Sequence, residues 1–150
     1  MARLRYLEAL RKALRDEMLL DESVFVLGED VEVGTRGLTT GLLEEFGSER
    51  VKDTPISEAG FVGFATGAAM EGRRPVVEFQ INTMVFQAFD QIVNNAAKFH
   101  LMSGGELRVP VTYIFPASGA ALGSAAQHSD HPYSYLLHAG VKTVVPAMAD

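Results

Sequence analysis

Leu4, Leu7, Leu10, Leu14 and Met18 recur at three- and four-residue steps, with Arg3, Arg5, Glu8, Arg11, Lys12, Arg15 and Asp16 on the remaining face. The chain therefore opens with an amphipathic surface helix. A short apolar run at 24–27 stops at Gly28-Glu29-Asp30, the pattern of a buried strand whose C-terminal end opens into a loop. Residues 39–46 predict a helix closed by Gly47, and residues 50–53 a strand ended by Thr54-Pro55. Residues 60–70 are apolar all round, with Ala59, Gly63 and Gly67 at four-residue spacing, which predicts a helix buried on every side. A third strand is expected at 75–79 and a second amphipathic helix at 85–102, with Phe86, Phe89, Ile92, Val93 and Ala96 turned inward. A fourth strand at 109–115, a short helix at 133–138 and a fifth strand at 142–145 complete the pattern. Strands alternating with helices predict an α/β fold, a parallel sheet with helices on both faces, whose active groups gather in loops at the C-terminal ends of the strands.

Composition narrows the function. The 150 residues are 47% hydrophobic and 21% charged, enough for one domain with its own core. Without cysteine there is no disulfide framework, cysteine metal site or thiol nucleophile. Thirteen Lys and Arg against 19 Asp and Glu give a net charge of -6, which argues against nucleic acid as a partner. No apolar run approaches the ~20 residues needed to span a bilayer, so no membrane partner is expected and the expected location is cytoplasmic. The chain stops after a strand, where another helix would be expected, as a fragment of a longer chain would.

Two positions invite chemistry. Asp53-Thr54-Pro55-Ile56-Ser57-Glu58 runs from a strand end into the mouth of the all-apolar helix. An acid there gains only ~0.3–1 kcal/mol from the helix dipole, whereas burial can shift its protonation strongly. Glu58 is thus either a capping acid facing water or a group held for a ligand's ring nitrogen. His128 lies in the polar cluster Gln127-His128-Ser129-Asp130-His131 after a stretch of small residues, where an imidazole is free to transfer protons. His100, His131 and His138 read more simply as loop or packing residues. No pair of histidines has zinc-protease spacing, and no serine sits in a nucleophile elbow. Gly60, Gly63 and Gly67 do not follow the dinucleotide order, and no Walker loop is present, so another polypeptide must hold the phosphates of any phosphorylated cofactor.

Leu27-Gly28-Glu29-Asp30-Val31, Glu49-Arg50-Val51 with Asp53 to Glu58, the 60–70 segment with Gly72, Ala88-Phe89-Asp90-Gln91-Ile92 and Ala125-Ala126-Gln127-His128-Ser129 stand in one order along nearly the whole chain. Together they resemble the β subunits of thiamine-diphosphate-dependent 2-oxo acid dehydrogenases, the pyruvate, acetoin and branched-chain E1 enzymes. The resemblance implies a transketolase-like pyrimidine-binding domain at 1–150 in an oxidoreductase that decarboxylates a 2-oxo acid and passes the acyl group to a lipoyl group. Glu58 falls on the glutamate that bonds N1′ of the aminopyrimidine, favouring the imino tautomer whose nitrogen removes the thiazolium C2 proton. His128 falls on the histidine that steadies the substrate and assists acyl transfer. Glu29 and Asp90 match acids of a polar proton channel between paired active sites. Ile56, Met84, Phe86 and Glu29 fall on the cofactor side of the site.

Two departures stand out. Met84 occupies a place where the family often has an aromatic residue against the pyrimidine ring, with Phe86 available for part of that contact. The loop at 31–38 is also about two residues shorter than usual. The family's second, C-terminal transketolase-like domain is expected to be absent from this chain. The implied partners are an E1 α subunit, which holds the diphosphate and its Mg2+, a second β subunit in a heterotetramer, and the lipoyl domain and acyltransferase core of the complex. A non-catalytic α/β interaction module and the matching domain of another transketolase-like enzyme remain alternatives. The substrate reading leans toward pyruvate or acetoin over a branched-chain acid.

Overall fold

A computed structural model describes residues 4–116 and 123–146. The helix α1 (Tyr6–Leu20) leads into the strand β1 (Val24–Gly28), followed by α2 (Leu42–Phe46), β2 (Val51–Asp53), α3 (Glu58–Met70) and β3 (Arg74–Glu78). A helical stretch ending in α4 (Ala97–Met102), the strand β4 (Thr112–Ile114) and α5 (Tyr133–His138) follow. All pairings are parallel, in the order β2-β1-β3-β4. Every residue of β1 is buried because both faces of the sheet are covered. Val24, Val26 and Val76 pack with Leu14 and Met18 of α1 and Leu42 of α2 on one face. Phe25, Leu27 and Val77 pack with Phe61, Val62 and Ala65 of α3 and Leu136 of α5 on the other. The period of two along the strands sorts side chains between these two layers, and each large apolar side chain so sealed contributes about 1.5–3 kcal/mol.

Arg50 ties the N-terminal layer together. Its guanidinium donates to the carbonyls of Met18 (2.7 Å), Asp21 (3.0 Å) and Val24 (2.7 Å) and stacks 5.1 Å over the ring of Phe46. Arg15 of α1 grips the Glu45 carboxylate of α2 through Nε (2.7 Å) and Nη2 (2.6 Å).

Several elements differ from expectation. The helix expected at 39–46 forms only from Leu42, because Gly41 adopts a left-handed φ of 83° and Thr39 is fully buried in the preceding loop. The stretch 85–102 is a 3-10 helix (Asn82–Ala88), then a π-helix (Gln91–Ala96), then α4. These changes of pitch turn Val85, Ala88 and Ile92 into the core, with Phe89 and Val93 packed partly against it, and leave Phe86, expected inward, 42% exposed. Side-chain bonds from Asn94 to Asp90 (2.7 Å), Asn95 to Gln91 (3.1 Å) and Lys98 to Asn94 (2.7 Å) brace the widened turn. The fourth strand shrinks to Thr112–Ile114, since Pro110 has no N–H to give a ladder. The helix α3 is not buried on every side: Phe64 is 58% exposed, and Ala59, Gly60 and Gly67 share that open face. Its apolar composition calls for a cover that the described residues do not supply. The fifth strand expected at 142–145 is also not formed. Val144 and Val145 are 71% and 65% exposed, on the far side of a groove of about 570 Å3 from residues 111–115. A β-prone run becomes a strand only when a partner edge lies within hydrogen-bond reach.

Candidate active site

Parallel pairing brings the C-terminal ends of the strands together. Gly28 of β1 stands in register with Asp53 of β2 and Glu78 of β3, and Thr54 N–H donates to the Gly28 carbonyl at 2.9 Å. A Cβ on Gly28 would run into the Glu78 carbonyl oxygen, so only glycine lets β1 and β3 close here. The sheet order reverses between β1 and β3, the place where an open α/β sheet offers a crevice to ligands. Glu29, the 53–58 turn and the exit of β3 all meet this end.

Glu58 is the first residue of α3 and is buried, 8% exposed. Glu29 is half-buried just beyond β1. Burial, then the Glu58 charge, then Asp30 push the Glu29 carboxyl above the usual carboxylate range, so the two acids lie close enough to feel each other. Oε1 of Glu29 is buried without a hydrogen-bond partner. The Glu29 main chain is held by the Gln80 side-chain amide, which donates to its carbonyl. Asp30 adopts a left-handed φ of 53° where the chain leaves β1. Two neighbouring acids, one with an unsatisfied oxygen, form a polar pair suited to a ligand that donates hydrogen bonds.

A third acid lies under the loop after β1. Glu78 is 2% exposed, and burial pushes its carboxyl up to about 7. The Arg36 guanidinium and the Thr39 hydroxyl pull it back in part, yet Oε2 of Glu78, Oγ1 of Thr39 and Nε of Arg36 are all buried without a completed hydrogen bond. Its signal in the sequence is a single acid inside the otherwise apolar Val76-Val77-Glu78-Phe79 run.

His128 ends a short 3-10 turn (Ala126–His128), half-buried, with Nδ1 buried and unpaired. Thr83 Oγ1 donates to the Gln127 carbonyl at 2.6 Å, bringing that turn against the 3-10 helix that packs on α3. Met84 in that helix is half-buried against the core, while Phe86 is 42% exposed and meets Tyr135 of α5 edge-on at 5.5 Å. Ile56 is 84% exposed on the turn before α3. Asp90 is exposed and accepts hydrogen bonds from Asn94 (2.7 Å) and Gln91 (3.2 Å) of its own helical stretch. Glu29 and Glu58 are thus brought together, and Asp90 spends its carboxylate locally.

The family described as transketolase, pyrimidine binding domain matches residues 2–150. The pyruvate dehydrogenase E1 component subunit beta of Rickettsia bellii is 51% identical over 148 residues, 95% of this chain and 45% of its own length. The protein of the same name from Rhizobium meliloti is 49% identical over 152 residues, 99% of this chain and 33% of its own. The 3-methyl-2-oxobutanoate dehydrogenase subunit beta of Mycobacterium tuberculosis is 43% identical over 143 residues, 93% of this chain and 41% of its own. The chain thus spans less than half the length of these relatives. A four-stranded parallel sheet between helical layers, with acids gathered where its strand order reverses, agrees with the match, and the chain belongs to the transketolase pyrimidine-binding domain family.

Proposed function

We propose that this chain is the pyrimidine-binding part of an E1 β subunit, and that it helps a thiamine-diphosphate enzyme decarboxylate a 2-oxo acid and hand the acyl group to a lipoyl group. The observation that carries the reading is the buried Glu58 at the mouth of α3 beside Glu29, whose Oε1 lacks a partner. An aminopyrimidine, with its ring nitrogens and exocyclic amine, is a ligand chemistry that fits two adjacent carboxyls. When bound, the cofactor supplies a nucleophilic carbon and an electron sink for the leaving carboxylate. Glu58 would hold the pyrimidine N1′ and set its tautomer. Glu29 would take or return a proton beside it, aided by its raised affinity for one. Ile56, Met84 and Phe86 offer apolar contact to a ring, and His128, with its free Nδ1, would orient the 2-oxo acid and serve acyl transfer. Asp90 would extend the acid path toward a second site.

The partners follow from the same reading: an α subunit holding the diphosphate and Mg2+, a second β subunit, and the lipoyl domain and acyltransferase core. The uncovered apolar face of α3 at Gly60, Phe64 and Gly67 fits burial against another subunit. Pyruvate is the favoured 2-oxo acid, and the cytoplasm the favoured compartment. The test is cofactor titration and turnover with the full-length chain and its matching α subunit. Glu58→Gln should weaken thiamine diphosphate binding and remove most turnover, and unchanged affinity and turnover would sink the reading.

A further inference from the structure

We propose that Thr83 is a positioning residue for His128, its hydroxyl clipping the 126–128 turn to the core through the Gln127 carbonyl. The catalytic half of this inference rests on the role proposed above for His128; the clip itself does not.

The turn has little of its own to keep it in place. Ala125, Ala126 and Gln127 are exposed, and the bonds His128 N–H to Ala125 O (3.0 Å), Ser129 N–H to Ala126 O (3.3 Å) and Ser129 Oγ to Ser124 O (3.0 Å) run inside it. Such bonds shape a turn without fixing its place on the protein, and a segment with few buried contacts opens locally at small cost. Among the described residues, two side chains reach the 124–131 segment from elsewhere in the fold. Thr83 Oγ1 donates to Gln127 O at 2.6 Å, and Asn82 Nδ2 donates to Nδ1 of His131 at 3.4 Å. The first bond is the shorter and falls on the peptide unit that joins Gln127 to His128. Fixing that plane limits the backbone torsion of His128 and hence the direction of its imidazole.

The anchor at the other end is firm. Thr83 lies in the Asn82–Ala88 helix, whose Val85 and Ala88 are fully buried and which packs against α3, the helix that begins at Glu58. One hydroxyl therefore refers the position of the histidine to the helix that carries the acid. A reacting group displaced by about 1 Å can lose about 100-fold in rate, so a single tether of this kind has leverage.

Thr83→Val keeps the shape and removes the hydroxyl, while Thr83→Ser keeps the hydroxyl. Both are made in the full-length protein assembled with its α subunit, with pyruvate as substrate and a lipoyl domain as acceptor, beside His128→Ala and the Thr83→Val, His128→Ala double variant. Amide exchange over residues 124–131 is the second readout. The expected result is faster exchange in Thr83→Val alone, a kcat lowered about 10- to 100-fold with cofactor affinity kept, recovery in Thr83→Ser, and no further loss in the double variant over His128→Ala. Unchanged exchange in Thr83→Val overturns the clip. Faster exchange with full turnover, while His128→Ala is impaired, overturns the positioning role, as does a loss that adds fully to that of His128→Ala. If His128→Ala retains full activity, the proposed role of His128 falls, and the exchange data alone decide whether the clip stands.

Discussion

Replacing Glu78 with glutamine should remove a pH dependence from the stability of this chain. The carboxyl is 2% exposed at the end of β3 and holds its proton up to about pH 7, against an ordinary value of 4.5. The folded state therefore binds this proton more tightly than the unfolded chain. Stability from this group is complete below the ordinary value, declines as pH rises from there, and is gone above about 7. A displacement of this size corresponds to about 3 kcal/mol, most of which falls between about pH 5 and about pH 8. Glutamine fills nearly the same space and cannot ionise. Urea unfolding of both proteins across that range should show Glu78→Gln gaining on the parent as pH rises, by about 2–3 kcal/mol in total. A difference that stays level within about 0.5 kcal/mol would mean that the carboxyl titrates normally, and the sealed-acid argument would be refuted.

Arg50→Ala strips the charged donor from three carbonyls at the junction of α1 and β1 and should cost about 2–4 kcal/mol in urea unfolding, with Arg50→Lys recovering only part; a loss below about 1 kcal/mol would show that water replaces the guanidinium freely. Glu58→Gln removes one of the like charges that push Glu29 up, so the Glu29 carboxyl should titrate at lower pH while burial keeps it above the ordinary range. Carboxyl carbon NMR would follow this directly, and an unmoved Glu29 would separate the two acids.

The parallel sheet was legible because short continuous apolar runs mark strands buried on both faces: 24–27 and 75–79 predicted β1 and β3 to within a residue or two. The same β-prone chemistry misled at 142–145, since propensity cannot say whether a neighbouring edge is at hand. In 85–102 the apolar spacing put Ile92 in the core but misplaced Phe86, which is 42% exposed, because the 3-10 and π turns shift the inward face onto Val85 and Ala88. Glu58 stood out because it broke an apolar pattern at a helix start. Glu78 broke one too, inside a strand, and its significance depends on Arg36 and Thr39, about forty positions earlier, folding over it. Thr83 carried no signal, since its partner is a main-chain carbonyl 44 residues away.

The π-helix between Asp90 and Ala97 works as a slip joint. Upstream of it, Thr83 and Met84 are keyed to the histidine turn and the core; downstream, His100 Nδ1 meets the Leu107 carbonyl at 2.7 Å and fastens the approach to β4. A uniform α-helix would make the angular setting of one end dictate the other. The wider turn absorbs the mismatch, so each end keeps its own orientation and insertions or deletions near β4 need not swing the Thr83 end out of line.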